Sequence, residues 1–147
     1  MTVKFLGSTW PRLVDEVREA VAGAAAEARP FESAMTELGA FASSRRARVI
    51  WAGMEDPGGR LAAVARDLDA RLEDWFVPEK RELTPHLTLA RLRTPRDLSE
   101  FAPDLVGTSV ASERFRIEEL VLYRSHLSPA GAHYEPLERF PFGGSNA

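Results

Sequence analysis

Hydrophobic positions along the chain recur with two periods, and together they predict alternating short strands and helices. The apolar run "TVKFLG" at residues 2–7 is typical of a strand that ends at Gly7. The next stretch, "STWPRLVDEVREAVAGAAAEA", has helical spacing, with Ser8 or Thr9 as its N-cap and Pro11 in its first turn. Its predicted buried face consists of Leu13, Val17, Ala20, Val21 and Ala24.

The rest of the pattern predicts a second helix among further strands. "PFESAMTEL" and "RARVIWAGM" are strand candidates, and a helix capped by Asp56 with Pro57 at its first position follows them. "TPHLTLARLR" is a strand, "TPRDLSEFAPDL" a short helix, and "SERFRIEELVLYRSHL" with "AHYEPLERFPF" gives three final strands around the turn "SPAG". The predicted stripe of the second helix is Leu61, Val64, Ala65, Leu68, Leu72 and Trp75, and Trp51 is also expected in the core.

This order of elements predicts a domain of the α/β (α+β) class. Short strands interleaved with two amphipathic helices favour a mixed architecture, and no linker divides the chain. We therefore expect a single domain over residues 1–142 and a flexible tail, "GGSNA", at residues 143–147.

Composition excludes some classes of function. The 147 residues carry a formal net charge of −3 and no cysteine. The weak acidity disfavours a broad basic surface for duplex nucleic acid, and the lack of thiols excludes disulfides, thiolate metal sites and a cysteine nucleophile. No signal-peptide pattern is present, and no apolar run approaches the ~20 residues that a membrane helix needs, so the sequence favours a cytoplasmic protein.

Two five-residue segments resemble each other, and a histidine precedes one of them. "TVKFL" at residues 2–6 and "TLARL" at residues 88–92 share the pattern Thr-apolar-x-x-Leu. His86 stands two residues before Thr88, so on a strand their side chains lie on one face, about 7 Å apart. Extending the first copy backwards places the matching position directly before Met1. A proton-transferring imidazole beside a phosphate-binding hydroxyl suits displacement at phosphorus, although a lone H-x-T is more often an ordinary exposed strand.

The segments "TVKFLG", "RRARVIWAG", "TPHLTLARLR" and "LVLYRSHLSPAGAHYEPLERFPF" together resemble the 2H phosphoesterases. Within them, the chain is most similar to the RNA 2′,3′-cyclic phosphodiesterases, also called 2′-5′ RNA ligases. The resemblance implies a two-lobed fold with antiparallel sheets and pseudo-twofold symmetry, in which each lobe brings one H-x-T-x motif to a central cleft. It also implies additional elements ahead of the first motif, so the chain is expected to be N-terminally incomplete and to self-associate through the edge left uncovered.

The resemblance further implies a reaction and a set of site residues. The family opens a terminal 2′,3′-cyclic phosphate to a 2′-phosphomonoester without a metal or other cofactor. His86 corresponds to the proton acceptor, Thr88 and Thr2 to the residues that hold phosphate oxygens, and Arg91 to a basic residue of the site. The family's proton donor is the first-motif histidine, whose absence is expected to reduce activity by about 10²–10⁴-fold. The expected partner is an RNA 3′ end or a small cyclic nucleotide. The sequence does not distinguish hydrolysis from the reverse reaction, ligation.

Several of these assignments have competing interpretations. Strict alternation places Arg91 on the face opposite Thr88, so its role requires a bulge or a twist, and it can equally be a solvent-facing arginine. Tyr123 and Arg124 either line the cleft and bind substrate or tie a hairpin together.

A second class of function is a non-catalytic module that binds nucleotides or RNA ends. It predicts nucleotide affinity that falls in Thr88→Ala, with no hydrolysis that depends on His86. His126 and His133 are expected at the surface rather than as substitutes for the proton donor.

Overall fold

The computed structural model describes residues 1–143, which form α-helices and β-strands in mixed order. The helices are α1 (Val14–Glu27), α2 (Arg60–Leu72) and α3 (Leu98–Phe101). The strands are β1 (Phe31–Ser33), β2 (Met35–Phe41), β3 (Ala47–Met54), β4 (His86–Arg96), β5 (Phe115–Ile117), β6 (Glu119–Ser128) and β7 (Gly131–Pro141). The predicted α/β class is confirmed, and residues 144–147 of the predicted tail lie outside the described residues.

The chain divides into two compact units. The first unit contains Met1–Val3, Glu32–Ala62 and Glu82–Phe115. The second unit contains Lys4–Phe31, Ala63–Arg81 and residues 116–143.

The first unit is built on an antiparallel sheet in the order β2-β3-β4. The outer side of β2 is paired with an extended segment, because Gly107 N–H donates to the Leu38 carbonyl at 2.8 Å and Leu38 N–H donates to the Thr108 carbonyl at 2.9 Å. Within residues 1–143, β4 stands at the other end of the sheet order. This leaves β4, the strand that carries the H-x-T pattern, at a sheet edge.

The second unit packs α1 against the antiparallel hairpin of β6 and β7. Val17 and Ala24 of α1 are buried, as are Leu120 of β6 and Phe140 of β7. Beyond β7, Gly143 N–H donates to the carbonyl of Ala25 at 2.8 Å, which fixes the end of the strand on the helix. The predicted buried face of the first helix is confirmed except for Leu13, which precedes α1 and is half-buried.

Asp56 caps the second helix as predicted, but the helix begins at Arg60 and not at Pro57, because Pro57–Gly59 form a 3₁₀ turn in which Gly58 has a φ of 70°. The Asp56 carboxylate accepts hydrogen bonds from the N–H groups of Leu61 at 2.8 Å and Ala62 at 3.1 Å, and Pro57 follows it at the start of a short 3₁₀ turn. These bonds satisfy donors that a helix N-terminus leaves unpaired. The predicted stripe is buried at Leu61, Val64, Leu68 and Leu72.

Trp75 is not a core residue, contrary to the prediction from that stripe. Its side chain is 44% exposed. The helix ends at Leu72, so beyond that residue the helical period no longer determines where a side chain points.

The predicted first strand is also wrong. Residues 1–7 have no strand assignment, because a strand requires a hydrogen-bonded neighbour as well as an apolar pattern. The segment is held instead by the Lys4 ammonium, which forms a largely buried ion pair with Asp69 of α2. Gly7, predicted to end this strand, has a φ of 69° in a segment without strand structure.

Two local expectations near the first helix and a third in the middle of the chain need correction. Neither Ser8 nor Thr9 caps a helix, since Trp10 precedes the 3₁₀ turn and the Thr9 hydroxyl donates to the Gly7 carbonyl at 3.3 Å. The segment "PFESAMTEL" forms two strands, β1 and β2. The short helix is limited to α3, because residues 94–96 continue β4. No helix within residues 1–143 is long and apolar enough to cross a membrane.

Candidate active site

His86 begins β4 and is half-buried. Its Nδ1 lies 2.7 Å from the carbonyl oxygen of Thr84. A carbonyl only accepts hydrogen bonds, so this contact requires the proton on Nδ1 and leaves the lone pair on Nε2. The backbone two residues upstream therefore selects the tautomer in which Nε2 can take a proton.

Thr88 lies on the same face of the sheet as His86. Across the ladder, His86 is opposite Gly53 and Thr88 is opposite Trp51. Residues two apart on one strand share a face, so the prediction that the imidazole and the hydroxyl point the same way is confirmed.

A β-bulge lies immediately after this pair. Thr88 is opposite Trp51, but Ala90 is opposite the next residue of β3, Ile50, so Leu89 is the extra residue of the bulge. The insertion reverses the alternation of β4 beyond that point.

The bulge determines the direction of Arg91. Arg91 is opposite Val49, and Val49 is two residues from Trp51, which is opposite Thr88. Arg91 therefore lies on the face that His86 and Thr88 occupy. The bulge that the role of Arg91 requires is present, and its side chain is exposed.

Two aromatic side chains surround the imidazole, and neither was expected there. The ring centroid of Phe41 is 5.1 Å from that of His86 in an edge-to-face arrangement, and the centroid of Trp51 is 6.2 Å away. The two aromatic rings are 5.2 Å apart. Trp51 is predicted to lie in the core but is half-buried. It lies on β3 directly opposite Thr88 of β4, and this pairing depends on the strand register, which the sequence does not reveal.

Thr2 belongs to the same unit as these residues. It is exposed and lies in the segment without a strand assignment. The structure therefore places Thr2, His86, Thr88 and Arg91 in the first unit.

Tyr123 and Arg124 lie on β6, in the second unit. Tyr123 is opposite Pro136 and is 50% exposed, whereas Arg124 is opposite Glu135. As neighbours on one strand they point to opposite faces of the hairpin.

The other two histidines pair across the same hairpin. His126 is opposite His133, and His126 Nε2 lies 2.8 Å from an oxygen of Glu135. This hydrogen bond, with smaller contributions from the charges of His126, Arg124 and His133, lowers the pKa of the Glu135 carboxyl. Both histidines are exposed, as expected. No group of three or more histidine, aspartate or glutamate side chains within the described residues is placed to hold a metal ion.

The chain matches the model of a known protein family over most of its length. Residues 1–129 match the model of the 2′-5′ RNA ligase superfamily. The chain belongs to this superfamily. The resemblance carried by the H-x-T-x segments is thereby confirmed.

Curated relatives within the superfamily are longer than this chain. An RNA 2′,3′-cyclic phosphodiesterase of Methanothermobacter thermautotrophicus is 32% identical over 142 residues, which are 95% of this chain and 76% of the relative. A protein of the same name from Geobacillus stearothermophilus is 32% identical over 147 residues, which are 99% of this chain and 46% of the relative.

Solved structures confirm the fold of this superfamily member. A crystal structure of a Thermus thermophilus protein matches with a TM-score of 0.81 and 26% identity, covering 99% of this chain and 78% of that one. E. coli LigT complexed with 3′-AMP matches with a TM-score of 0.67 and 21% identity, covering 96% of this chain and 75% of LigT. At that identity the second match bears on the fold alone.

Proposed function

We propose that this protein is an RNA 2′,3′-cyclic phosphodiesterase, which hydrolyses a terminal 2′,3′-cyclic phosphate to a 2′-phosphomonoester. The observation that carries the proposal is the shared face of His86, Thr88 and Arg91, produced by the bulge at Leu89. A base, a hydroxyl donor and a guanidinium on one surface suit an anionic phosphodiester. The names of the curated relatives point to the same reaction.

In the proposed reaction His86 acts as the general base. Its Nε2 takes a proton from water, the water oxygen forms a bond to phosphorus, and the bond from phosphorus to the 3′ oxygen breaks. The leaving 3′ oxygen takes up a proton from solvent, so the product is a 2′-phosphomonoester with a free 3′ hydroxyl. The Thr84 carbonyl keeps Nδ1 protonated and stabilises the imidazolium that forms.

Thr88, Thr2 and Arg91 are proposed to bind the phosphate. The two hydroxyls donate to non-bridging oxygens, and the guanidinium offers paired donors to the charge that develops as water attacks. Tyr123 and Arg124 are proposed as further substrate-binding residues. The tyrosine ring can stack on a base or form a hydrogen bond, and the arginine can form an ion pair with a phosphate. The substrate class is an RNA 3′ end or a small cyclic nucleotide, handled in the cytoplasm.

A ribo-oligonucleotide labelled at its 5′ end and ending in a 2′,3′-cyclic phosphate tests the function. After incubation with the protein, alkaline phosphatase should remove the terminal phosphate, because only an opened monoester is a phosphatase substrate. An end that stays resistant to phosphatase, with the protein folded, contradicts the proposal. Retained nucleotide binding in that case supports the binding module instead.

Replacing Thr88 with valine should lower kcat/KM by about 10- to 100-fold, because it removes a hydrogen bond to a charged oxygen while preserving shape. Thr88→Ser should retain most of the activity. Thr94→Val, at an exposed threonine of the same strand, is the control. If Thr88→Val matches the parent in kcat/KM, the hydroxyl does not bind the phosphate.

The exposed edge of β4 is proposed to support self-association. Leu87 is 45% exposed and Leu89 is 52% exposed on this strand, and unpaired strand edges template further pairing. Light scattering should detect a dimer whose population rises with protein concentration. Leu89→Lys should shift the equilibrium to monomer, and a parent protein that stays monomeric at every concentration overturns the proposal.

A further inference from the structure

The indole of Trp51 occupies space that two glycines leave open. A Cβ atom at Gly39, directly across the ladder, would lie 2.1 Å from indole carbon Cζ2. A Cβ at Gly53, two residues along β3, would lie 3.3 Å from indole Cζ3 and 2.6 Å from the hydroxyl of Thr36. The absence of a side chain at Gly39 is therefore required for the ring to lie flat over β2.

This placement brings the indole and the Phe41 ring against His86. The three ring centroids are separated by 5.1, 5.2 and 6.2 Å, which is the range in which aromatic rings attract one another. The Thr84 carbonyl holds the imidazole at Nδ1. The ring is thus restrained by a hydrogen bond and by two neighbouring rings.

Without the two aromatic rings, rotation of the His86 imidazole would be only weakly restricted. The terminal torsion of a histidine side chain has a broad, roughly two-fold distribution, so one hydrogen bond leaves the ring free to swing or flip when that bond breaks. A flip would exchange the positions of Nδ1 and Nε2. General-base chemistry needs Nε2 in one place, because small displacements of a reacting group cost large factors in rate.

We infer that Phe41 and Trp51 are positioning residues that hold the His86 imidazole in its productive orientation, and that Gly39 is the residue that admits the indole. The inference rests on the proposed function for its kinetic consequence. Its structural consequence, a restrained imidazole with Nδ1 protonated, stands without it. Phe41 is 38% exposed, so its replacement perturbs the core less than replacement of a buried ring.

The test compares Phe41→Leu and Trp51→Leu with Trp51→Phe as the conservative variant. Trp75→Leu, at an exposed tryptophan of the second unit, is the matched control. Nitrogen NMR of the His86 ring should show one tautomer with Nδ1 protonated in the parent and in Trp75→Leu. Phe41→Leu and Trp51→Leu should shift the ring signals toward tautomer exchange, with partial recovery in Trp51→Phe.

Kinetics on a 2′,3′-cyclic nucleotide give the second readout. In both leucine variants kcat should fall about 10- to 100-fold with KM nearly unchanged, because the base is misplaced while the phosphate contacts remain. An unchanged His86 tautomer signal in folded Phe41→Leu overturns the inference, whether or not the protein hydrolyses the substrate. A parent that shows the restrained tautomer but no hydrolysis contradicts the proposed function alone.

Discussion

Replacing His86 with alanine should lower the rate of 2′,3′-cyclic nucleotide hydrolysis by about 10²–10⁴-fold, the usual contribution of a general base. The reason is that His86 Nε2 is the proton acceptor left free by the hydrogen bond from Nδ1 to Thr84. Initial rates on the cyclic nucleotide, measured for both proteins at the same pH, check this expectation.

The control for this prediction is His133→Ala. His133 is exposed on β7 and has no role in the proposed reaction. It should keep the parent rate. Equal loss of activity in the two alanine variants would show that His86 has no special role, and full activity in His86→Ala would remove the general base from the mechanism.

Replacing Arg91 with alanine should lower kcat/KM by about 10²-fold, because a charged donor to the phosphate is lost at a site that binds an anion. Arg91→Lys should recover only part of this loss, since an ammonium does not reproduce the paired N–H geometry of a guanidinium. The measurement is kcat/KM together with inhibition by a 2′-nucleoside monophosphate, which should weaken in parallel.

Arg48→Ala provides the matched control for Arg91. Arg48 is an exposed arginine of β3, adjacent to Val49, and alternation places it on the opposite face of the sheet. It should leave kcat/KM within about a factor of two, the small effect expected of an exposed surface substitution. If Arg48→Ala and Arg91→Ala cause equal losses, the arginines act through net charge and the face defined by the bulge is irrelevant.

The case of Arg91 shows what the sequence cannot provide. A count along the strand places Thr88 and Arg91 on opposite faces, and only an extra residue reverses that result. The bulge is visible in the pairing of β4 with β3, which depends on residues more than thirty positions away. The sequence predicts that the role of Arg91 requires a bulge but does not show where the bulge lies.

At the N-terminal segment, residues 1–7, the sequence predicts a strand that the structure does not contain. Its apolar pattern is typical of a strand, and the H-x-T resemblance strengthened that prediction. A strand nevertheless exists only with a hydrogen-bonded partner, and residues 1–7 form no such ladder. The buried ion pair of Lys4 with Asp69 joins positions 65 residues apart, so no local pattern could indicate it.

Short-range sequence patterns predict the structure correctly where interactions between nearby residues determine it. The Asp56 carboxylate caps the second helix because a cap joins groups that are close together along the chain. The surroundings of His86 were missed because they depend on register. Trp51 and Phe41 reach the imidazole only once β2, β3 and β4 are paired, and the small residue that admits the indole, Gly39, is an ordinary strand glycine in the sequence.

The most direct test of the proposed reaction is phosphorus NMR of a 2′,3′-cyclic nucleotide incubated with the parent protein and with His86→Ala. We predict that the cyclic phosphate signal is replaced by that of the 2′-monophosphate with the parent protein, and that it persists with His86→Ala. Formation of the 3′-monophosphate, or equal conversion by both proteins, would contradict the assignment of His86 as the base that opens the 2′,3′-cyclic phosphate.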